Sequence, residues 1–155
     1  MESGKPLGYL LGRSLRIFKN QMVSEFRKMD IELSFDHFVI LHLLNSDCQL
    51  IQRDLASHLQ KDKSIIVRQI DGLLENQFVE RLTNKEDKRK KNLILTKKGF
   101  DILNQMKDIA SEVSGKLLTD VSPDDFVVFQ KVLMKIQENG ESEDDFFICG
   151  LNQTK

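Results

Sequence analysis

At 155 residues the chain suits one compact domain with its own hydrophobic core, and 40% hydrophobic with 30% charged residues, 8 Gly and 2 Pro, excludes a wholly disordered or low-complexity polymer. No apolar run reaches the roughly 18 to 20 residues of a membrane helix, so no membrane partner is expected and the cytoplasm is the expected location. The formal net charge of -1 is unevenly spread: Arg53 to Lys98 holds 12 basic and 7 acidic residues, a surplus of five, which allows a local anion-binding face within a near-neutral chain.

From about Leu7 to Lys28, the residues Leu7, Leu11, Leu15, Phe18, Met22 and Phe26 recur at spacings of three and four and predict one stripe of a long helix. Leu33 followed by Ser34 predicts an N-cap opening a helix through Phe38, Leu41 and Leu44 that stops near Asn45 to Asp47. A short helix from about Gln49, carrying Ile51, Leu55, Ala56 and Leu59, is followed after a break at Gln60 to Asp62 by another through Ile66, Ile70, Leu73 and Leu74. Two short helices so tightly joined read as a helix-turn-helix.

The period then changes. Phe78 to Thr83 and Asn92 to Leu95 read as two short strands, joined by the charged run Asn84 to Lys91 in a hairpin with a basic tip. Thr96 is placed to cap a helix carrying Phe100, Leu103, Met106, Ala110, Val113 and Leu117 at helical spacing. Ser122, Pro123, Asp124 and Asp125 predict another start, with a buried stripe of Phe126, Phe129, Leu133 and Ile136 and a stop at Gly140. Residues 141–155 form an acidic tail that ends its charged run at Phe146, Phe147 and Ile148, apolar side chains expected to dock somewhere.

Asp62, Lys63 and Ser64, followed by Arg68, Asp71, Leu73 and then Val79, Glu80 and Arg81, resemble the recognition helix and first wing strand of the MarR family. Asp87-Lys88-Arg89 and Leu95-Thr96-Lys97-Lys98-Gly99 resemble that family's wing signature, an Asp-x-Arg followed by Leu-Thr-x-x-Gly. The resemblance spans roughly Leu7 to Gly140. It implies a mainly α fold with a small β-hairpin wing, a winged helix-turn-helix with long N- and C-terminal dimerisation helices. It also implies a lobe at about residues 34–98 that binds double-stranded DNA at a pseudo-palindromic operator, and dimerisation helices at about 7–30 and 97–139. A homodimeric repressor follows from the resemblance, released by a small anionic or aromatic effector.

The residues carry the chemistry independently of that resemblance. At about 100° per residue, Ile66, Ile70 and Leu73 face the core, while Ser64, Arg68, Asp71 and Glu75 lie opposite, with Ile65 and Val67 on the flanks. Lys63, Ser64 and Arg68 then point from the positive end of a helix suited to a major groove. The Arg68 guanidinium suits guanine O6 and N7, and Ile65 or Val67 suits a thymine methyl. In the hairpin, Arg89 suits a minor groove and Asp87 can hold the tip, while Lys88, Lys90 and Lys91 suit phosphates. The plainer reading makes Ser64 only a cap and the basic run a solvated loop.

Two glycine-related departures from the family pattern stand out. Gln77 replaces the usual Gly after the recognition helix, so Asn76 or Gln77 must adopt the left-handed stop, and Gly72 lies inside that helix. Arg13, Arg16, His37 and Phe38 are the candidates for an effector cleft between dimer helices and DNA-binding lobe. Cys48 and Cys149 are expected to be reduced thiols, with Cys48 a candidate redox sensor as an alternative. His37, His42 and His58 lack metal-ligand spacing, and no Gly-rich phosphate loop or nucleophile motif is present, so no metal, cofactor or enzymatic activity is expected. The rival to DNA binding is a winged helix that binds protein instead.

Overall fold

A computed structural model describes residues 4–46, 55–57, 59 and 61–140. Its elements among the described residues include the helices α1 (Leu7–Lys28), α2 (Phe35–Leu44), α3 (Lys63–Glu75), α4 (Lys97–Leu117) and α5 (Pro123–Gly140) and an antiparallel ribbon, β1 (Val79–Thr83) with β2 (Lys91–Leu95). Of the short helix expected from about Gln49, residues 55–57 are helical and Leu55 is fully buried. Cys48, His58 and the tail from residue 141 lie outside the described residues.

Local sequence accounts for most boundaries. The Ser34 hydroxyl accepts the His37 main-chain N–H at 3.2 Å, Thr96 Oγ1 accepts that of Gly99 at 3.0 Å, and Ser122 Oγ accepts that of Asp125 at 3.1 Å. Each satisfies a helix-start donor that the backbone leaves open. Two helices end in the left-handed stop. Asp30 (φ 56°) lets Ile31 donate to the Phe26 carbonyl at 2.9 Å, and Gln77 (φ 60°) lets Phe78 donate to that of Leu73 at 2.9 Å. Gln77, not Asn76, therefore takes the conformation that glycine adopts most easily, while Asn76 stays at φ -84°.

The core joins the C-terminal half of α1 to α2, α3 and the middle of α4. Met22, Phe26, Ile40, Leu41, Leu55, Ile66, Ile70, Leu73, Leu103, Met106 and Val113 are fully buried. Burial of each such side chain contributes about 1.5 to 3 kcal/mol before chain entropy is counted.

Elsewhere the expected stripes stay open. Phe126, Phe129, Leu133 and Ile136 were expected to be buried, yet α5 has no buried residue: Phe126 and Leu133 are half-buried, Phe129 and Ile136 exposed. On α1, Leu7 and Leu15 are exposed, as are Phe100 and Leu117 on α4. The spacing is helical as expected, but among the described residues no element covers these surfaces. Among the described residues no helix is long and apolar enough to cross a membrane.

Candidate nucleic-acid interface

The helix α3 begins after Asp62, whose side chain makes no cap hydrogen bond. Ser64 is the second helical residue, so it is not the cap. Ile65 and Ile66 both donate to the Asp62 carbonyl, at 3.0 and 3.2 Å. The main-chain N–H groups of Lys63 and Ser64 precede these and have no helical acceptor, a donor pair at the positive end of the helix.

The two faces of α3 separate as its periodicity requires. Ile66, Ile70 and Leu73 are buried, whereas Lys63, Ser64, Ile65 and Arg68 are exposed. Val67 is half-buried, which leaves Ile65 the more accessible of the two apolar flanking residues. Ser64, Arg68, Asp71 and Glu75 fall within about 60° of arc. No hydrogen bond or ion pair engages Arg68 among the described residues.

The ribbon that follows is tied back to this helix. Arg81 on β1 approaches Asp71 at 3.6 Å, so the first strand lies against the same side of α3 that carries Ser64 and Arg68. Both partners are about half exposed, and such a pair orients more than it stabilises. The corner between helix and strand is held more firmly. Thr96 Oγ1 donates to the Gln77 carbonyl at 2.6 Å, Lys98 Nζ to the Asn76 carbonyl at 2.7 Å, and the Lys98 ammonium lies 4.7 Å from the centre of the Phe78 ring. A cation over an aromatic face adds roughly 0.5 to 1 kcal/mol at such a site.

The ribbon pairs Val79 with Leu95 through Thr83 with Lys91, and its tip is built by two side chains. Asn84 Oδ1 accepts the main-chain N–H groups of Glu86 and Asp87, at 2.8 and 3.0 Å. Asp87 Oδ1 accepts that of Arg89 at 3.0 Å and sits 3.5 Å from its guanidinium. Asp87 thus touches both an arginine and a backbone amide. Arg89 still has 95% of its side chain in solvent, and Lys88 and Lys90 are exposed. Lys91 is a strand residue whose ammonium donates to Thr83 Oγ1 across the ribbon at 2.8 Å.

Sequence reasoning overlooked Asn84 and the second bond of Thr96. Asn at the head of a polar run is a recognised turn-former, so Asn84 was legible in principle. The Thr96 bond to Gln77 spans 19 positions and carried no local signal.

The four residues proposed for an effector cleft separate into two pairs. Arg13 and Arg16 are exposed on the N-terminal half of α1, Arg13 lying 3.4 Å from the Tyr9 hydroxyl. His37 and Phe38 belong to the packing of α2, with the Phe38 ring 6.4 Å from that of Phe26. No hydrogen bond, ion pair or ring contact joins the pairs. A cleft of about 400 Å³ between α1 and the start of α2 is lined by Lys19, Arg27, Ser34, Phe35 and Asp36 among others. Among the described residues no cluster of three His, Cys, Asp or Glu side chains could hold a metal ion.

The family model described as MarR family matches residues 33–91. Among solved structures, the chain is similar to transcriptional regulator PA3341, at 27% identity over 86% of this chain and 97% of that one, with a TM-score of 0.74. It is similar in fold to a MarR transcriptional regulator from Methanosarcina mazei Go1, at 24% identity over 86% and 95%, TM-score 0.77. Wild-type MarR in its apo form from E. coli matches at 21% identity over 86% and 98%, TM-score 0.75. The exposed face of α3, the basic ribbon beside it and these matches agree: residues 33–91 match the MarR family model, and the chain has the winged helix-turn-helix fold of the transcriptional regulators it resembles.

Proposed function

We propose that this chain is a sequence-specific double-stranded DNA-binding transcriptional regulator that acts as a homodimer on a pseudo-palindromic operator. The observation that carries it is the junction of an exposed α3 face, bearing Lys63, Ser64, Ile65 and Arg68, with a basic ribbon held to that side through Asp71 and Arg81. In this reading α3 enters the major groove. Arg68 bonds a guanine edge, Ile65 with Val67 beside it meets a thymine methyl, and the open N–H groups of Lys63 and Ser64 meet phosphate. Arg89 reaches the adjacent minor groove from a tip fixed by Asp87, and Lys88, Lys90 and Lys91 neutralise phosphates.

Repression is the expected sign, with release by a small anionic or aromatic molecule. Lys19 and Arg27 make the cleft between α1 and α2 attractive to an anion, and Arg16 stands one turn above Lys19. Such a molecule acts only by binding two arrangements of the protein with different affinity.

Selection of duplexes from a random library, repeated with Arg68→Ala and Arg89→Ala, tests the assignment. Arg68→Ala is expected to lose preference at one position in each half-site and about 1 to 3 kcal/mol of affinity, roughly 5- to 150-fold. Arg89→Ala is expected to weaken every duplex, most of all those with AT-rich flanks. An unaltered consensus with Arg68→Ala removes that residue from base reading. A wild-type chain that binds no duplex even at low salt favours a protein-binding winged helix instead.

A further inference from the structure

We propose that Asp36 and His37, at the start of α2, are positioning residues for the DNA-reading helix, and that the protonation of His37 controls how firmly they hold it. This rests on the reading of α3 given above but concerns residues of α2, outside both α3 and the ribbon.

The start of α2 is closed by a reciprocal cap in which His37 Nδ1 accepts the Ser34 main-chain N–H at 3.0 Å. Glu or Gln ordinarily fills that role, and neither resembles imidazole in titrating near neutrality. An Nδ1 that accepts leaves the ring proton on Nε2. The ring approaches α3: Nε2 lies 3.9 Å from where a Cβ on Gly72 would stand, with the Gln69 main-chain carbonyl as the acceptor on that side. The neighbouring Asp36 carboxylate accepts the Gln69 side-chain amide at 3.1 Å and the Lys61 ammonium from the turn leading into α3. Two consecutive residues thus meet α3 together, Asp36 through the Gln69 side chain and the turn at its start, His37 beside Gly72. Because Gln69 adjoins Arg68, the grip determines the rotation at which α3 presents Ser64 and Arg68.

A second proton on His37 would turn Nδ1 from acceptor to donor, facing the Ser34 N–H that it now binds. The cap would open at the point where α2 holds α3. Burial of the ring keeps its pKa below the usual histidine value, against the opposing pull of the Asp36 charge and the Gln69 hydrogen bond. Asp36 is itself engaged by Lys61, and α3 presents to the ring the uncharged Gln69 carbonyl and Gly72. The clamp is therefore closed at neutral pH and loosens as the medium becomes acidic.

The test uses the full chain, its selected duplex at constant salt, and the variant His37→Gln, which keeps an acceptor for Ser34 and a donor for Gln69 but does not titrate. Between about pH 7.5 and 5.5, wild-type affinity is expected to fall about fivefold more than that of the variant, the factor matching one lost capping interaction. In an amide NMR titration of the free wild-type chain, Gln69 to Leu73 are expected to shift together with the His37 ring. Superimposable pH profiles for the two proteins would overturn the proposal, as would Gln69 to Leu73 signals indifferent to the ring. The wild-type amide titration needs no variant, so it decides the clamp even if His37→Gln folds poorly. A wild-type chain that binds no duplex at any pH defeats the DNA-binding reading instead, and the amide titration still decides whether His37 holds α3.

Discussion

A methyl group on Gly99 would stand 1.9 Å from the Phe78 carbonyl oxygen and 2.8 Å from its carbon. Backbone atoms cannot withdraw as a flexible side chain does, so the first turn of α4 and the root of β1 touch only because residue 99 lacks a Cβ. The same Phe78 carbonyl accepts the Thr96 N–H at 3.1 Å, and the Thr96 hydroxyl accepts that of Gly99, which draws the three residues together. Gly99→Ala is expected to cost about 3 kcal/mol, in the range of overpacked sites. Urea unfolding monitored by circular dichroism measures it, and an unchanged midpoint would mean that the corner relaxes freely. His37 acts in the other direction, through pH. Its pKa is lowered in the fold, so its contribution is full above the unfolded value near 6.5 and is lost as pH falls through the folded value. Asp36 differs again: burial pushes its carboxyl up, but hydrogen bonds from Lys61 and Gln69 and the Lys61 charge outweigh burial, and the acid stays ionised.

At the scale of elements, α3 is held at three places: its start through Lys61 and Asp36, its middle through Gln69, and its end through the corner at Asn76 to Phe78. An interior glycine makes such a helix weaker than it needs to be. Gly72 faces His37, but an added Cβ would meet Nε2 at 3.9 Å, an ordinary contact distance. Gly72→Ala is therefore expected to stabilise the chain by up to about 1 kcal/mol, raising the denaturation midpoint without changing the slope. A lower midpoint would indicate that the His37 ring cannot tolerate the methyl. The pair Gly72 and Gly99 separates two uses of one residue type. Sequence alone ranked Gly72 as costly but could not tell that Gly99 is obligatory for packing, because the obstructing atom belongs to a residue 21 positions away.

On the scale of the whole molecule, apolar side chains collect where none of the described residues covers them. Leu7, Tyr9, Leu10, Leu15 and Ile17 are exposed on α1, and Val127, Val128, Phe129, Val132, Met134 and Ile136 on α5. Those on α5 surround much of its circumference, which a helix facing solvent on one side does not need. A second copy of the chain, as in the proposed homodimer, is the expected cover for both sets. Val132→Asp introduces a charge at a position 51% exposed in the single chain, so the monomer core is spared. Light scattering is expected to report a monomer in place of a dimer, with operator affinity reduced by at least about 100-fold through loss of the linked second half-site. A dimeric mass for that variant would place the interface elsewhere.

The sequence by itself determined the elements. Periodicity located the helices, and Ser34, Thr96 and Ser122 marked their starts. Alternating short runs flanking a charged tip gave the ribbon, and the missing glycine at residue 77 narrowed the left-handed stop to Asn76 or Gln77, of which the structure has Gln77. These features depend on hydrogen bonds and side-chain spacing within a few residues, which is why they could be read in one dimension. Only the tertiary structure decided which stripes are covered, that the Phe38 ring packs beside that of Phe26, and that Asp36 reaches Lys61 and Gln69, 25 and 33 positions away. Such pairings arise from how helices cross in space, and no local pattern along the chain encodes where two distant turns will meet.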